Sequence, residues 1–172
     1  KKDVYVEKPL GKDIEGVKKA CDAVKKNNVV VQVGTQLRSM ASMTGAREVY
    51  KTGVLGKVGR IEQHRNEWRP YWYNYVKEVR CEDVDWDEFL MDAPKRPFDA
   101  NLYSGWYGYR DYSDGAIPGF GSHFIDLVTY ITGAQFPLSS VCQGGTFTWN
   151  DDYKFTCPDH VQATWIYPEG FM

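Results

Sequence analysis

Residues 29–33, Val-Val-Val-Gln-Val, limit the possible folds of this chain more than any other stretch. A nearly unbroken β-branched run is how a strand reads when both faces of its sheet are covered, as in a parallel sheet. Residues 4–7, Val-Tyr-Val-Glu, form a second β-rich run. It should stop at Lys8-Pro9, because proline cannot donate to a central ladder. Between the two runs, Asp13 is placed to cap a helix reaching about Lys26. The apolar positions of that helix, Ile14, Val17, Ala20, Cys21 and Val24, recur at helical spacing, and Asn27-Asn28 ends it. Strand, helix and strand within about thirty residues make a βαβ unit. Open α/β sheets bind ligands just beyond the carboxyl ends of their strands. Two segments stand at such ends: Glu7-Lys8-Pro9, and residues 34–39, Gly-Thr-Gln-Leu-Arg-Ser. That position gives Lys8 a functional reading beside the ordinary one of a solvated surface lysine.

Past residue 39 the pattern changes. A helix is expected over 43–52, with Gly53 as its stop, and 57–68 reads as a polar strand with weak alternation. Residues 69–113 read as irregular, with one short helical piece near 85–91 and prolines at 70, 94 and 97. So long a connection is usually functional or an interface. Two strands are expected over 140–149 and 160–167, the second with Val161, Ala163, Trp165 and Tyr167 on one face. Pro168-Glu169-Gly170 is a turn, and Phe171-Met172 should open a further strand. The chain starts without an initiator methionine and with residues that already read as strand, as expected of part of a longer protein.

Composition excludes some functions. Net charge is -2 with no long basic run, which argues against nucleic acid or an anionic membrane as the partner. No apolar run approaches the roughly 20 residues needed to span a bilayer. Cys21, Cys81, Cys142 and Cys157 lie far apart and form no CxxC pair, which fits reduced thiols in a cytoplasmic protein. Aromatic residues, at 15%, gather in two groups: Trp68, Tyr71, Trp72, Tyr73 and Tyr75, then Tyr103, Trp106, Tyr107, Tyr109 and Tyr112. Such groups build a core or an oligomer interface, or line a cleft that stacks on sugar rings.

The chemistry concentrates in residues 114–133, DGAIPGFGSHFIDLVTYITG. Gly115, Pro118, Gly119 and Gly121 read as a loop, Ser122 as the N-cap of a helix and Gly133 as its stop. Phe124, Leu127, Val128 and Ile131 form the apolar stripe of that helix, while His123, Asp126 and Tyr130 fall on another face. An imidazole and a carboxylate in one first turn can move protons, hold a hydroxyl or bind a metal. They can equally do nothing beyond packing and favouring the helix start by charge.

Four segments stand in one order: VYVEKPL at 4–10, VVVQVGTQLRS at 29–39, GVLGKVGRIE at 53–62 and GSHFIDL at 121–127. This order resembles the Gfo/Idh/MocA family of NAD(P)-dependent oxidoreductases, which includes glucose-fructose oxidoreductase and inositol dehydrogenase. The aromatic middle, with its DWDEFL and RPFD segments, is similar to the subgroup that contains NAD-dependent glycosidase-type proteins. The resemblance implies an α/β fold in two parts. Residues 1–34 would be the C-terminal part of a Rossmann dinucleotide-binding domain. Residues 35–172 would be an α+β substrate-binding and oligomerisation domain with a largely antiparallel open sheet, through which a homo-oligomer forms.

It also implies site residues. Lys8 would stand at the nicotinamide of NAD or NADP and at the substrate hydroxyl, Pro9 would fix the turn that aims it, often through a cis peptide bond, and Glu7 would meet the cofactor edge. Gln36 and Arg38 would line the same cleft as cofactor-binding residues. His123 would be the acid/base partner, and Asp126 would orient it or contact substrate. No metal is implied, since one His with one Asp is a poor zinc site. The family's GxGxxG turn and its ribose-reading acid do not occur in the sequence, so this piece alone is expected to bind a dinucleotide poorly or not at all. Many relatives carry Asp four residues before the histidine, whereas this chain has Gly119, which leaves three alternatives: His123 works alone with Lys8, Asp111 or Asp114 supplies the carboxylate, or catalysis is lost. Three functions are compatible: hydride transfer to a sugar, polyol or similar hydroxylated small molecule, NAD-dependent glycoside cleavage, or a non-catalytic binding or dimerisation module.

Overall fold

A computed structural model describes residues 1–11 and 13–172. The chain forms two compact units, one made of Lys1–Ile61, Gly121–Phe136 and Tyr167–Phe171, the other of Glu62–Phe120, Pro137–Ile166 and Met172.

In the first unit, β1 (Val4–Glu7) pairs in parallel with β2 (Val31–Gly34), in the register Val4 to Val31 through Glu7 to Gly34. Between them runs α1 (Ile14–Asn27), making the expected βαβ unit. Asp13 caps α1: its carboxylate accepts from the amides of Glu15 (3.3 Å) and Gly16 (2.6 Å). The helix ends on Asn28, in the left-handed region at φ 49°. The second strand starts two residues later than the apolar run. The Val29 amide is still held by the Val24 carbonyl (3.4 Å), and the Val30 amide donates to the Asp3 carboxylate (2.8 Å). No residue of α1 is buried, and Ile14 is 71% exposed.

After β2 come a 3-10 turn, Gln36–Ser39, and α2 (Ala41–Lys51). The unit is completed by a later helix, α5 (Ser122–Thr132), which packs on α2 and on the 3-10 turn. The glycine-rich stretch before α5 is not a loop: Ile117–Gly121 is one turn of π-helix that runs straight into it. Gly121 is therefore already helical (φ -59°, ψ -29°), and Ser122 is an interior residue, not an N-cap. Leu127 is buried as expected, Phe124, Val128 and Ile131 are half-buried, and His123 is also buried. Gly133 stops the helix at φ 81°, a conformation that favours glycine. Phe171 opens no strand: its carbonyl accepts from the Tyr167 amide (2.9 Å), and the two rings stack at 4.9 Å.

In the second unit, β3 (Ser139–Gly145) pairs antiparallel with β4 (His160–Ile166). Val161, Ala163 and Trp165 share the covered face, while Val141 and Ile166 are 63% and 50% exposed on the other. The first of these strands ends four residues short of expectation. The buried Asp159 carboxylate accepts from the amides of Phe147 (3.0 Å), Thr148 (3.0 Å) and Trp149 (2.8 Å), so this backbone is taken by a side chain and is lost to the ladder. Residues 57–68 form no strand, and of their apolar positions only Val58 and Ile61 are half-buried. Residues 69–113 are more regular than their sequence suggests. They hold α3 (Trp86–Leu90), α4 (Ala100–Ser104) and three short 3-10 turns, with Asp99 capping α4 through the amides of Asn101 (2.9 Å) and Leu102 (3.0 Å).

Aromatic residues make much of this unit's interior, although Trp68 and Phe147 are 75% and 76% exposed. Phe155 sits 5.1 Å from Tyr73, 5.0 Å from Tyr109 and 6.0 Å from Trp72 between ring centres, and Phe89 lies 4.9 Å from Tyr103 and 4.8 Å from Tyr112. The four cysteines are unpaired, and among the described residues no helix is long and apolar enough to cross a membrane.

Candidate functional site

The first unit brings Lys8, His123 and Asp126 into one electrostatic neighbourhood. Lys8 follows the last residue of β1, and the Lys8–Pro9 peptide bond is cis. His123 lies in the first turn of α5 and is 8% exposed. Its imidazole is held below the ordinary histidine range by burial and by the charge of Lys8, against the opposing pull of Asp126. The Lys8 ammonium is itself lowered by burial, partly offset by Glu7. An imidazole kept neutral beside a cation is suited to accept a proton from a hydroxyl and to hand it on.

The carboxyl ends of the two parallel strands approach each other closely. A Cβ at Gly34 would lie 2.7 Å from the Tyr5 hydroxyl and 3.1 Å from a Glu7 carboxylate oxygen, so the ends of two β1 side chains close over β2 where it carries no side chain. Gln36 opens the 3-10 turn that follows. Arg38, in the same turn, reaches α5: its Nε donates to one carboxylate oxygen of Asp126 at 2.8 Å, and its Nη2 donates to the other. The Asp126 side chain is 14% exposed and that of Arg38 41%. The Arg38 guanidinium also lies 5.3 Å from the centre of the Tyr130 ring, which Arg47 of α2 approaches at 4.7 Å. Of the residues singled out in the sequence, Arg38 and Asp126 are thus joined to each other, His123 stands between Lys8 and Asp126 in charge, and Glu7 faces Gly34. Sequence reasoning missed the Arg38–Asp126 bond, whose partners are 88 positions apart. The available signal was their opposite charge at two places that a βαβ unit and its following helix present together.

Position 119 belongs to the second unit. A Cβ there would fall inside the Tyr107 hydroxyl, so Tyr107 occupies the volume that a side chain at 119 would need. The Tyr107 oxygen is buried with no hydrogen-bond partner among the described residues, and burial raises its phenol to about 12. Asp111 is engaged by Arg96 at 2.7 Å. Among the described residues no group of three or more His, Cys, Asp or Glu side chains could hold a metal ion.

Comparison with known proteins agrees with this fold. A family profile described as "Oxidoreductase family, C-terminal alpha/beta domain", from the Gfo/Idh/MocA group, matches residues 40–141. No curated protein sequence matches the chain. Solved structures do. An oxidoreductase domain protein from Kribbella flavida superposes with a TM-score of 0.65 at 20% identity, over 98% of this chain and 40% of its own. The transcriptional regulator Gal80p from Kluyveromyces lactis gives 0.61 at 20% identity, over 96% and 37%. An oxidoreductase from Agrobacterium radiobacter, in complex with NAD+, L-tartaric acid and magnesium, gives 0.58 at 13% identity, over 98% and 39%. The chain thus spans about 40% of the length of the proteins it superposes on.

Proposed function

Because this chain belongs to the Gfo/Idh/MocA oxidoreductase family, we propose that it is the substrate-side portion of an NAD(P)-dependent oxidoreductase acting on a sugar, polyol or similar hydroxylated small molecule. Residues 1–34 close a dinucleotide-binding domain in this reading, and residues 35–172 form the domain that receives substrate and assembles the oligomer. The observation that carries the proposal is the buried His123 imidazole of α5 under the charge of Lys8, which stands at the carboxyl end of parallel strand β1. A bound nicotinamide supplies the hydride acceptor or donor. Lys8 holds the substrate oxygen and favours its alkoxide-like form, and His123 takes or returns the hydroxyl proton. Glu7, Pro9, Gln36 and Arg38 belong to the rim at the two strand ends. The donor set suits the nicotinamide end of the cofactor, and nothing in residues 1–172 supplies a pyrophosphate-binding turn. The NAD+ and hydroxy acid held by the Agrobacterium protein support the ligand class.

The test uses the complete parent reading frame, incubated with NAD(P) and a panel of sugars, polyols and hydroxy acids. Nicotinamide reduction is followed at 340 nm. Lys8→Ala and His123→Gln are each expected to cut kcat/KM by at least about a hundredfold, and unchanged turnover in both would remove these residues from the mechanism.

A second reading is favoured by Gly119 and Tyr107, and by the likeness to Gal80p: a binding or assembly module without turnover. It predicts no nicotinamide reduction with any substrate, together with a stable oligomer.

A further inference from the structure

We infer that the Arg38–Asp126 pair is the positioning device of the site: it fastens the N-terminal half of α5, just beyond His123, to the turn that follows β2 and decides which charge His123 faces. The inference rests on the reading of His123 as the proton-handling group. Its evidence is geometric. Arg38 approaches both Asp126 oxygens through Nε and Nη2, the two-pronged arrangement that fixes direction as well as distance. Asp126 is three residues beyond His123, one helical turn along the same face. With its side chain 14% exposed, an unpartnered Asp126 carboxylate would be costly, so the pair must form for α5 to sit where it does. Arg38 is steadied from behind by Tyr130, on the next turn of α5, whose ring Arg47 of α2 also faces.

The charges that act on His123 are Lys8, from the end of β1, and Asp126, from α5 itself; Glu7 acts in turn on Lys8, Arg38 of the 3-10 turn on Asp126, and Arg47 of α2 meets the Tyr130 ring that Arg38 also approaches. Asp126 is the anion on the histidine's own helix face, and Arg38 compensates it. Lys8 then governs the imidazole. Remove Arg38 alone and the carboxylate is released to pull a proton onto His123. Remove Asp126 alone and a second cation is left unbalanced nearby. The two substitutions therefore move His123 in opposite directions, which a purely structural role for the pair does not require.

The experiment is an NMR titration of the imidazole carbons in the full chain, with His123 assigned against His64 and His160 by His123→Gln. Arg38→Gln is expected to raise the His123 midpoint by on the order of one pH unit, Asp126→Asn to lower it, and the double variant to lie between the two. Arg38→Lys keeps the charge without the fork, and should hold the midpoint near wild type while broadening the His123 resonance. If Arg38→Gln does not fold, Asp126→Asn decides: a midpoint that stays or rises overturns the inference. A midpoint that Arg38→Gln leaves in place, or lowers, overturns it as well. Because the readout is a titration and needs neither cofactor nor substrate, absence of turnover in the parent protein would refute the proposed function and leave this result standing.

Discussion

At the scale of single residues, burial turns ordinary side chains into unusual ones. His123 has its proton affinity reduced by burial and by Lys8, so it is neutral in the folded chain at a pH where the unfolded chain, near 6.5, begins to take up a proton. The sign follows from linkage: a depressed folded-state value contributes stability above the unfolded midpoint, and that contribution is lost as pH falls through it. Urea denaturation at pH 7.5 and 5.5 should therefore show a larger loss on acidification for the wild-type chain than for His123→Gln. Equal losses would mean that His123 is as easily protonated folded as unfolded.

Gly119 makes a second case. Gly119→Ala must displace the Tyr107 hydroxyl, and thermal unfolding should report a loss of about 1–3 kcal/mol, whereas the same substitution made in a Tyr107→Ala background should cost little beyond that background. The places of Lys8, just after a strand, and of His123, in the first turn of a helix, were legible because strand ends and helix starts can be located from pattern. The Tyr107–Gly119 exchange was not, since nothing in a glycine codon position says which distant ring fills its space.

At the scale of elements, side chains that compete for backbone amides decide where helices and strands begin and end. Asp13 was readable as a cap, because an acidic residue directly preceding an apolar helical period has a local meaning. Asp13→Ala should cost about 1 kcal/mol in denaturant unfolding. Asp159 acts the same way across a longer gap. Burial opposes its ionisation, yet hydrogen bonds from His160 and from the amides of residues 147–149 more than offset this and hold its carboxyl at about 2. This stability is present above the unfolded value near 3.9 and is lost as pH falls toward about 2. Asp159→Ala should destabilise the second unit by about 2 kcal/mol at neutral pH, and the penalty should shrink in acid. The alternation through Phe147 and Trp149 suggested a strand because a strand period says nothing about a carboxylate ten or more positions away that claims the same amides. Residues 57–68 misled for the complementary reason: a weakly alternating polar run has no apolar face to fix a register.

At the scale of the whole molecule, covered and uncovered faces are unequally distributed. The β3–β4 pair covers Val161, Ala163 and Trp165 but leaves Val141 and Ile166 exposed on the opposite face. A second copy seated there would explain them, and the proposed homo-oligomer makes a direct prediction. The parent protein should sediment as an oligomer, and Val141→Lys with Ile166→Lys should shift it toward monomer without lowering its melting temperature. The change of pattern after β2, from apolar runs to alternation, does not coincide with the division between the compact units, since the first of them runs on through Ile61. That the first unit is assembled from three separate segments was not legible, because helix α5 carries the same kind of periodicity wherever it docks.

That assembly has a temporal consequence. A ribosome releases β1, α1 and β2 early, yet the helix they await is encoded only after all of residues 62–120. The half of the site that bears the amine must therefore stay open on the nascent chain until the half that bears the imidazole is synthesised, so the site is completed late in translation.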